Sequence, residues 1–312
     1  MEQVSEKNNK KLILELSIPN LKTIKRDFFP LYDRLIIGYP FCPAYPDNPS
    51  FSMEATTEVL DKHGRDIDIV ISLPVCPMEE EMGRIEKVLA SAKELGAHGI
   101  EVHSFGLLRW AKKSAPGLNI LAGEFSDIYT AYDAKLAWDL GAKSGIPACE
   151  IDLDERIMIQ KDSPLEVITV VAGIFPIAFS RYCHNHPEGL PEKCTALCST
   201  GRTVVYGPEQ KVIQAGRVIY SGRALDLLSL LPELRKNDFK IYRINGFRMS
   251  DDQIIKTGEI FKNILARDDY VPKNEELRAM ESIFPEGSCN GFYYGARGLD
   301  KIGPGPGLLL VK

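Results

Sequence analysis

The chain has 312 residues, of which 44% are hydrophobic and 26% charged, a composition ordinary for a folded globular protein. Its net charge of −5 offers no general attraction to nucleic acid. We find no apolar run long enough to cross a bilayer and no signal-peptide core at the N-terminus. The sequence therefore predicts a cytoplasmic protein whose seven cysteines are reduced, metal-bound or buried rather than disulfide-paired.

Short runs rich in Ile and Val alternate with longer amphipathic segments. The predicted strands cover residues 12–16, 34–39, 67–73, 99–103, 119–124, 147–152, 166–171 and 240–244. The predicted helices cover residues 78–96, 126–141, 223–236 and 251–266. Nearly continuous apolar strands are typical of parallel sheets covered on both faces. Eight such strands with interleaved helices predict a (β/α)8 TIM-like barrel, regular or irregular, although a doubly wound sheet would give a similar alternation.

Two of the predicted helices have clear start signals. Ser126 or Asp127 would cap the segment that ends at Gly141, and Ser250 or Asp251 would cap the last helix. We assign residues 1–265 to the barrel and residues 266–312 to a C-terminal extension that packs on the barrel or on a partner. The connection formed by residues 173–223 is longer than a normal βα loop, and long loops in compact domains are usually functional.

Three cysteines lie on that long connection. Cys183, Cys194 and Cys198 share a polar stretch that contains Pro and Gly, where packing is a poor explanation for so buried a residue type. Cys42 follows the second predicted strand, so a barrel would place it on the same, carboxyl-terminal face. Four thiolates on one face could bind zinc, with His184 or His186 as substitute ligands, or a [4Fe–4S] cluster. The spacing alone does not separate zinc from iron.

Several segments resemble a known family. The stretches FPIAFSRYC at 175–183, PEKC at 191–194 and CNGFYYGARGL at 289–299 are similar to the collagenase-like peptidase family U-32. The cysteine layout is most similar to its UbiV branch, which acts in ubiquinone biosynthesis without oxygen. This resemblance implies a barrel whose [4Fe–4S] cluster is held by Cys42, Cys183, Cys194 and Cys198.

The resemblance also implies a function. It is O₂-independent hydroxylation of an aromatic quinone precursor, with prephenate as the oxygen donor and a UbiU-like family member as heterodimer partner. Related branches hydroxylate RNA bases, and a non-catalytic electron-transfer or scaffold subunit is a further alternative. Peptidase activity is the weakest hypothesis, because the chain has no zinc-protease helix motif, no serine-hydrolase elbow and no recognisable cysteine-protease motif.

Polar residues at predicted strand ends and near the cysteines are the catalytic candidates. His184 and His186 flank the cysteines, and arginines would be needed to bind a dicarboxylate such as prephenate. The full set is His103, Glu124, Glu150, Asp152, Arg181, His184, His186, Arg243, Asn245 and Arg248. Of the remaining cysteines, we expect Cys76 to pack or to be a spare ligand, Cys149 to be a core strand residue, and Cys289 to be structural.

One predicted helix is too apolar for a single buried face. The segment at 223–236 contributes Leu225, Leu227, Leu228, Leu230, Leu231 and Leu234. The tail adds Phe292, Tyr293, Tyr294 and the GLLLV run at 307–311. Either the tail folds over these leucines, or they form the interface with the expected partner.

Overall fold

The computed structural model describes residues 11–45, 47–190, 194–199, 202–206 and 210–303. The strands, in chain order, are β1 Ile13–Ile18, β2 Arg34–Ile37, β3 Asp68–Ser72, β4 Gly99–Val102, β5 Asn119–Ala122, β6 Ser144–Gly145, β7 Glu166–Gly173, β8 Pro176–Phe179, β9 Arg202–Tyr206, β10 Gln210–Ala215, β11 Val218–Ser221, β12 Ala224–Asp226, β13 Ile241–Asn245 and β14 Ser288–Cys289. The helices are α1 Met53–His63, α2 Glu79–Glu94, α3 Phe105–Ser114, α4 Ala131–Asp139, α5 Leu153–Asp162, α6 Leu231–Lys236, α7 Asp251–Leu265 and α8 Asn274–Ile283.

Eight parallel strands close into a barrel. Strands β1 to β7 pair in sequence order, and β13 pairs with both β1 and β7. Gly173 permits this closure, since it has a φ of +96° and a Cβ there would lie 2.1 Å from the Asn245 carbonyl oxygen. The predicted (β/α)8 barrel is confirmed. No helix in the described ranges is long and apolar enough to span a bilayer.

The sixth predicted strand is wrong in position. Barrel strand β6 covers only two residues, and the segment at 147–152 lies after it in turns. Pro147 has no N–H to donate to a ladder, and Asp152 instead caps α5 by accepting from the Glu155 backbone N–H. This segment therefore forms part of the barrel mouth rather than its wall.

The long connection is not an irregular loop. Strands β8 to β11 form a separate antiparallel sheet in the order β8-β11-β10-β9. Val218 and Tyr220 on β11 are buried, so the sheet has its own apolar face. The expected loop at 173–223 is thus corrected to a small sheet that leaves β7 and lies over the mouth.

Two predicted helices need correction at their starts. The helix expected from residue 126 begins at Ala131, because Thr130 and Asp133 form a capping box there. The segment at 223–236 is divided into β12, a 3-10 turn and the short α6. Helix α7 starts after Ser250, as predicted, and its side chain accepts from the Gln253 backbone N–H.

The leucines of that divided segment are not available to a partner. All six are buried within the chain, and Met280 and Ile283 of α8 belong to the same core. Strand β14 pairs with β12, so residues from the tail cover this part of the barrel. Of the two alternatives, cover by the C-terminal extension agrees with this burial, and a partner interface on these leucines does not. The GLLLV run lies outside the described residues.

Candidate functional site

The loop after β2 places Cys42 at the barrel mouth. The buried Asn48 side chain holds this loop: its Nδ2 donates to the Tyr39 and Cys42 carbonyl oxygens at 2.8 and 3.0 Å. Its Oδ1 accepts from the Tyr39 backbone N–H at 3.1 Å. Cys42 is buried beneath the loop. A single asparagine thus fixes the only early cysteine of the candidate site.

The small sheet brings the later cysteines to the same place. Cys198 lies in a 3-10 turn against the β10–β11 hairpin, where a Cβ on Gly216 would lie 3.0 Å from the Cys198 Cβ. Arg217 in that hairpin joins the two cysteine-bearing loops. Its Nη1 donates to the Phe41 carbonyl oxygen at 3.2 Å, and its Nε donates to the Arg181 carbonyl oxygen at 2.7 Å.

We call Cys42, Cys183, Cys194 and Cys198 the four-thiol centre. The pKa of Cys198 is raised to about 12, first by burial and then by charge repulsion from the three other thiols of the centre. Burial also raises the pKa of Cys42. A hydrogen bond from the Ala44 backbone N–H and the nearby Arg217 guanidinium both lower this pKa, but burial has the larger effect. All four are free cysteines, and they lie close enough that negative charge on Cys183 or Cys194 raises the pKa of both Cys42 and Cys198.

The thiols do not converge on a single point. Among the residues that the structure describes, no three His, Cys, Asp or Glu side chains could hold one metal ion. Zinc bound at about 2.3 Å from each sulfur needs sulfurs roughly 4 Å apart. A four-iron cluster is larger and spaces its ligands more widely. Backbone N–H groups also reach the sulfurs, with the Ala196 N–H 3.3 Å from the Cys194 Sγ. Such hydrogen bonds are a normal feature of cluster ligation, so the donor set fits a cluster.

An aromatic layer separates the four-thiol centre from the barrel interior. Tyr220 stacks on Phe247 at 4.6 Å, and Tyr39 lies 4.5 Å from Tyr45. These rings share one buried apolar cluster with Cys42 and Cys198. Burial raises the pKa of Tyr39 and Tyr220 well above the ordinary value, so both hydroxyls stay protonated.

Beneath this layer, paired charges fill the barrel interior. Arg243 donates from Nε to the Glu15 carboxylate at 2.6 Å and from Nη1 to Glu101. Arg34 bonds the other oxygen of Glu15 at 3.1 Å. Although burial disfavours a charged Glu101, the Arg243 guanidinium holds its pKa below the usual value. Two arginines thus balance two carboxylates in the interior.

These groups border a cavity of about 40 Å³, which we call the inner cavity. Two polar atoms on its wall, Arg243 Nη2 and His103 Nδ1, are buried and have no hydrogen-bond partner among the described residues. Buried donors and acceptors without a partner are rare in folded proteins. The inner cavity is therefore the natural place for a polar ligand atom or a bound water.

The inner cavity does not contain a hydrolase triad. Ser72 Oγ donates to Glu101 Oε1 at 2.8 Å and lies 3.0 Å from His103 Nε2. In a triad the acid bonds the imidazole nitrogen that faces away from serine, whereas here Glu101 and Ser72 share the same nitrogen. Burial lowers the pKa of His103 to about 4, so the imidazole is neutral. Gly123 packs against this ring, and a Cβ there would lie 2.3 Å from it.

Glu124 forms a wall between the inner cavity and a second one. The second cavity, of about 100 Å³, lies between the ends of β5 to β7 and the C-terminal segment, and we call it the outer cavity. Burial raises the pKa of Glu124 to about 7, although Asn245 Nδ2 donates to its carboxyl at 2.9 Å. A carboxyl that titrates near neutral pH can accept or donate a proton there.

The structure places most of the predicted catalytic candidates either at the inner cavity or on the solvent-exposed surface. Arg243, Asn245, His103 and Glu124 lie together at the inner cavity, as their positions at strand ends predicted. The solvent-exposed group contains Arg181, His184 and Arg248. His186 is half-buried, with Nε2 unpartnered among the described residues. Asp152 is the α5 cap and is not free for a ligand. Arg243 is ion-paired in the interior through Nε and Nη1, and only its Nη2 has no partner among the described residues.

The remaining cysteines differ in their surroundings. Cys289 is fully buried in the tail, in accord with a structural role, while Cys76 is exposed. Cys149 is not the core strand residue we expected. It lies at the outer cavity, where its thiol donates to Glu150 at 3.3 Å, because β6 ends before it.

Sequence reasoning missed four important residues. Glu15, Ser72, Glu101 and Asn48 all support the site and none was a candidate. Glu15 and Glu101 carried a usable signal, since each is a lone acidic residue within an otherwise apolar strand of a buried sheet. Asn48 gave none, because its role depends on the folded loop.

Fold and site together define a class of protein: an α/β barrel with clustered thiols at the carboxyl end of its strands. The sequence profile described as peptidase family U32 matches residues 32–302. The chain therefore belongs to peptidase family U32, as the sequence motifs indicated.

Curated relatives refine the comparison. The chain is 27% identical over 236 residues to the tRNA hydroxylation protein P of two Helicobacter pylori strains, which covers 70% of this chain. The match spans 56% of those relatives, so the chain corresponds to about half of their length. A solved structure of the U32 peptidase Mk0906 has a TM-score of 0.46 and 15% identity, and covers 77% of this chain and 94% of that one.

Proposed function

We propose that this protein is an iron–sulfur enzyme that hydroxylates a base of transfer RNA without molecular oxygen. The observation that supports it most is that Cys42 and Cys198 share one buried apolar cluster with Tyr39, Tyr220 and Phe247, and these three rings also line the inner cavity. Relatives named for tRNA hydroxylation support the reaction class, and they favour RNA over the quinone precursor that the cysteine layout first suggested.

The proposed cofactor is a [4Fe–4S] cluster held by Cys42, Cys183, Cys194 and Cys198. Two observations support the cluster: the four thiols lie within electrostatic reach of one another, and the Ala196 backbone N–H donates to the Cys194 Sγ. When bound, such a cluster would exchange electrons one at a time with groups at the mouth of the barrel. The aromatic layer keeps water from the space between the thiols and the inner cavity.

The chain's own residues divide the remaining work. Arg243 Nη2 and His103 Nδ1 would bind an oxygen atom of the donor in the inner cavity, for which prephenate is our candidate. Because Ser72 donates its proton to Glu101, the neutral His103 ring bonds Ser72 through its Nε2–H, which leaves Nδ1 as an acceptor. A hydroxyl group, which can accept from Arg243 and donate to His103, therefore fits there at lower cost than a carboxylate. Glu124, which touches both cavities, would exchange a proton with the ring being hydroxylated.

A second candidate is hydroxylation of an aromatic quinone precursor with a UbiU-like partner. The observation that favours it is the small outer cavity, which a free ring could enter without the unstacking that an RNA base requires. The net charge of −5 also suits a small substrate better than RNA.

The test is a deletion strain grown without oxygen, in which transfer RNA nucleosides and quinones are measured by mass spectrometry. We expect a hydroxylated nucleoside to disappear and to return with the wild-type gene. The Cys198→Ser variant should fail to restore it, whereas Cys76→Ser, which changes an exposed cysteine outside the site, should restore it.

Three other outcomes are informative. Unchanged nucleosides with loss of ubiquinone would replace the first candidate by the second. Full restoration by Cys198→Ser would show that the thiols do not serve catalysis in this chain, as for a scaffold subunit. Unchanged nucleosides and quinones would reject both candidates.

A further inference from the structure

The outer cavity has the size and walls of a binding site for one ring. A cavity needs about 10–15 Å³ to hold one water molecule, which is about the size of one non-hydrogen atom of a ligand. The outer cavity, of about 100 Å³, therefore accommodates roughly one substituted six-membered ring. Its walls are mainly apolar or aromatic: Phe125, Ile146, Val170, Phe175, Ile177, Leu225, Phe292 and Tyr293. Such walls favour a planar apolar face.

The polar groups at this cavity are mostly hydrogen-bond acceptors. Glu124, Asp127 and Glu150 place three carboxyl groups on its lining. Glu150 already accepts from the Tyr129 hydroxyl at 2.5 Å and from the Cys149 thiol, which leaves its remaining lone pairs for a ligand. A ligand must therefore bring N–H or O–H donors.

Among the described residues that line the cavity, the one cation is already engaged. Arg156 donates from Nη2 to the Ala148 carbonyl oxygen at 2.7 Å and from Nε to that of Ile151 at 3.2 Å. Its guanidinium also stacks over the Tyr293 ring at 4.4 Å. Three carboxyl groups against one occupied guanidinium make the cavity unfavourable for a carboxylate or a phosphate.

We infer that the outer cavity binds a neutral planar ring that carries N–H or O–H donors, with its edge on Glu124 and Glu150, and that it rejects the same ring bearing a carboxylate. This inference rests on the proposed function only where it assigns that ring as the acceptor of the hydroxyl group. Because Glu124 lines both cavities, its carboxyl group lies between a ring in the outer cavity and the donor oxygen atom proposed for the inner cavity.

Two matched pairs of small molecules test the inference on the full chain. Uracil is compared with orotate, its carboxylated form, and phenol with 4-hydroxybenzoate, by ligand-observed NMR titration. We expect uracil, phenol or both to bind, with the carboxylated form of each binder at least about tenfold weaker. Binding of phenol alone supports the inference and assigns the acceptor to the phenol class.

A cavity-filling variant locates the binding. Ile177 lines the outer cavity and is 40% exposed, so Ile177→Trp places an indole at the rim without disturbing a sealed core. We expect it to weaken ring binding by about tenfold or more, because the ring and the indole compete for one space. Val271→Trp, at a 66% exposed position outside that cavity, is the matched control and should bind like the wild type.

Three results would overturn the inference: no binding of either neutral ring, equal binding of the carboxylated forms, or unchanged binding in a folded Ile177→Trp. These results are distinct from failure of the proposed function. Ring binding that Ile177→Trp removes, together with unchanged transfer RNA in the deletion strain, would reject only the function. Ring binding that a folded Ile177→Trp leaves unchanged, together with loss of the hydroxylated nucleoside in the deletion strain, would reject only the cavity assignment.

Discussion

The barrel interior and the barrel mouth handle reactive side chains in opposite ways. In the interior, Glu15, Glu101 and Arg243 are buried and joined by short ion pairs that project from rigid strands. At the mouth, the four-thiol centre lies on loops: Asn48 fixes the loop of Cys42, and Arg217 joins that loop to the one after β8. Negative charge on one thiol of the centre raises the pKa of Cys42 and Cys198. Groups that satisfy one another stabilise the fold, whereas groups that lack protein partners are those available for a cofactor.

The comparison predicts the largest loss of stability in the interior. Arg243→Leu leaves the Glu15 and Glu101 carboxylates buried without their shared cation. Breaking a buried ion pair from one side costs about 3–5 kcal/mol, and we expect a loss in that range in chemical denaturation.

A matched variant on the surface tests whether the loss of any ion-paired arginine would have the same effect on stability. Arg297→Leu removes an arginine from an exposed pair with Asp300 and should cost less than about 1 kcal/mol. If Arg243→Leu cost no more than this control, the interior network would not be the stabilising element that we describe.

A smaller, pH-dependent effect on the free energy of unfolding is expected from Glu124, which lies between the barrel interior and the barrel mouth. Glu124 has a pKa of about 7 in the folded chain, above the ordinary 4.5, so the folded state binds the proton more tightly than the unfolded state does. Its favourable contribution is complete below the ordinary pKa and is lost as pH rises through about 7.

The neutral variant Glu124→Gln removes this titration. From about pH 5 to about pH 8, the wild type should lose on the order of 1–3 kcal/mol of unfolding free energy relative to Glu124→Gln. Denaturation curves at both pH values measure the difference. Parallel pH profiles for the two proteins would mean that Glu124 titrates near its ordinary pKa.

The smallest stability effect is expected at the mouth. Cys198→Ser replaces a buried thiol that has no stabilising ion pair, so the metal-free protein should lose only about 1 kcal/mol. Iron binding after anaerobic reconstitution should nevertheless be lost, as measured by visible absorbance and iron content.

Cys289→Ser is the matched control for that experiment. It changes another buried cysteine, located in the tail, and should keep its iron. Full iron content in Cys198→Ser would remove this residue from the ligand set. Equal loss in both variants would indicate that general destabilisation, not ligation, controls iron binding.

Some expectations failed where local patterns were weaker than long-range contacts. The segment at 147–152 has the composition of a strand, yet only two residues before it complete the ladder between β5 and β7. The leucines at 225–234 have the pattern of an over-apolar helix. They are divided among β12, a 3-10 turn and α6, because β14 pairs with β12 and α8 contributes to the same core.

The sequence by itself determined the barrel and the family, because strand periodicity, start signals such as Ser250 and motif residues are local properties of the chain. The ligand set of four cysteines stays a prediction. It did not determine the surroundings of those cysteines. The aromatic layer, the interior ion pairs and the outer cavity unite residues as distant as Glu15 and Arg243, which are 228 positions apart. Only closure of the barrel brings such residues into contact, and burial in the closed barrel is what shifts the pKa of Glu124.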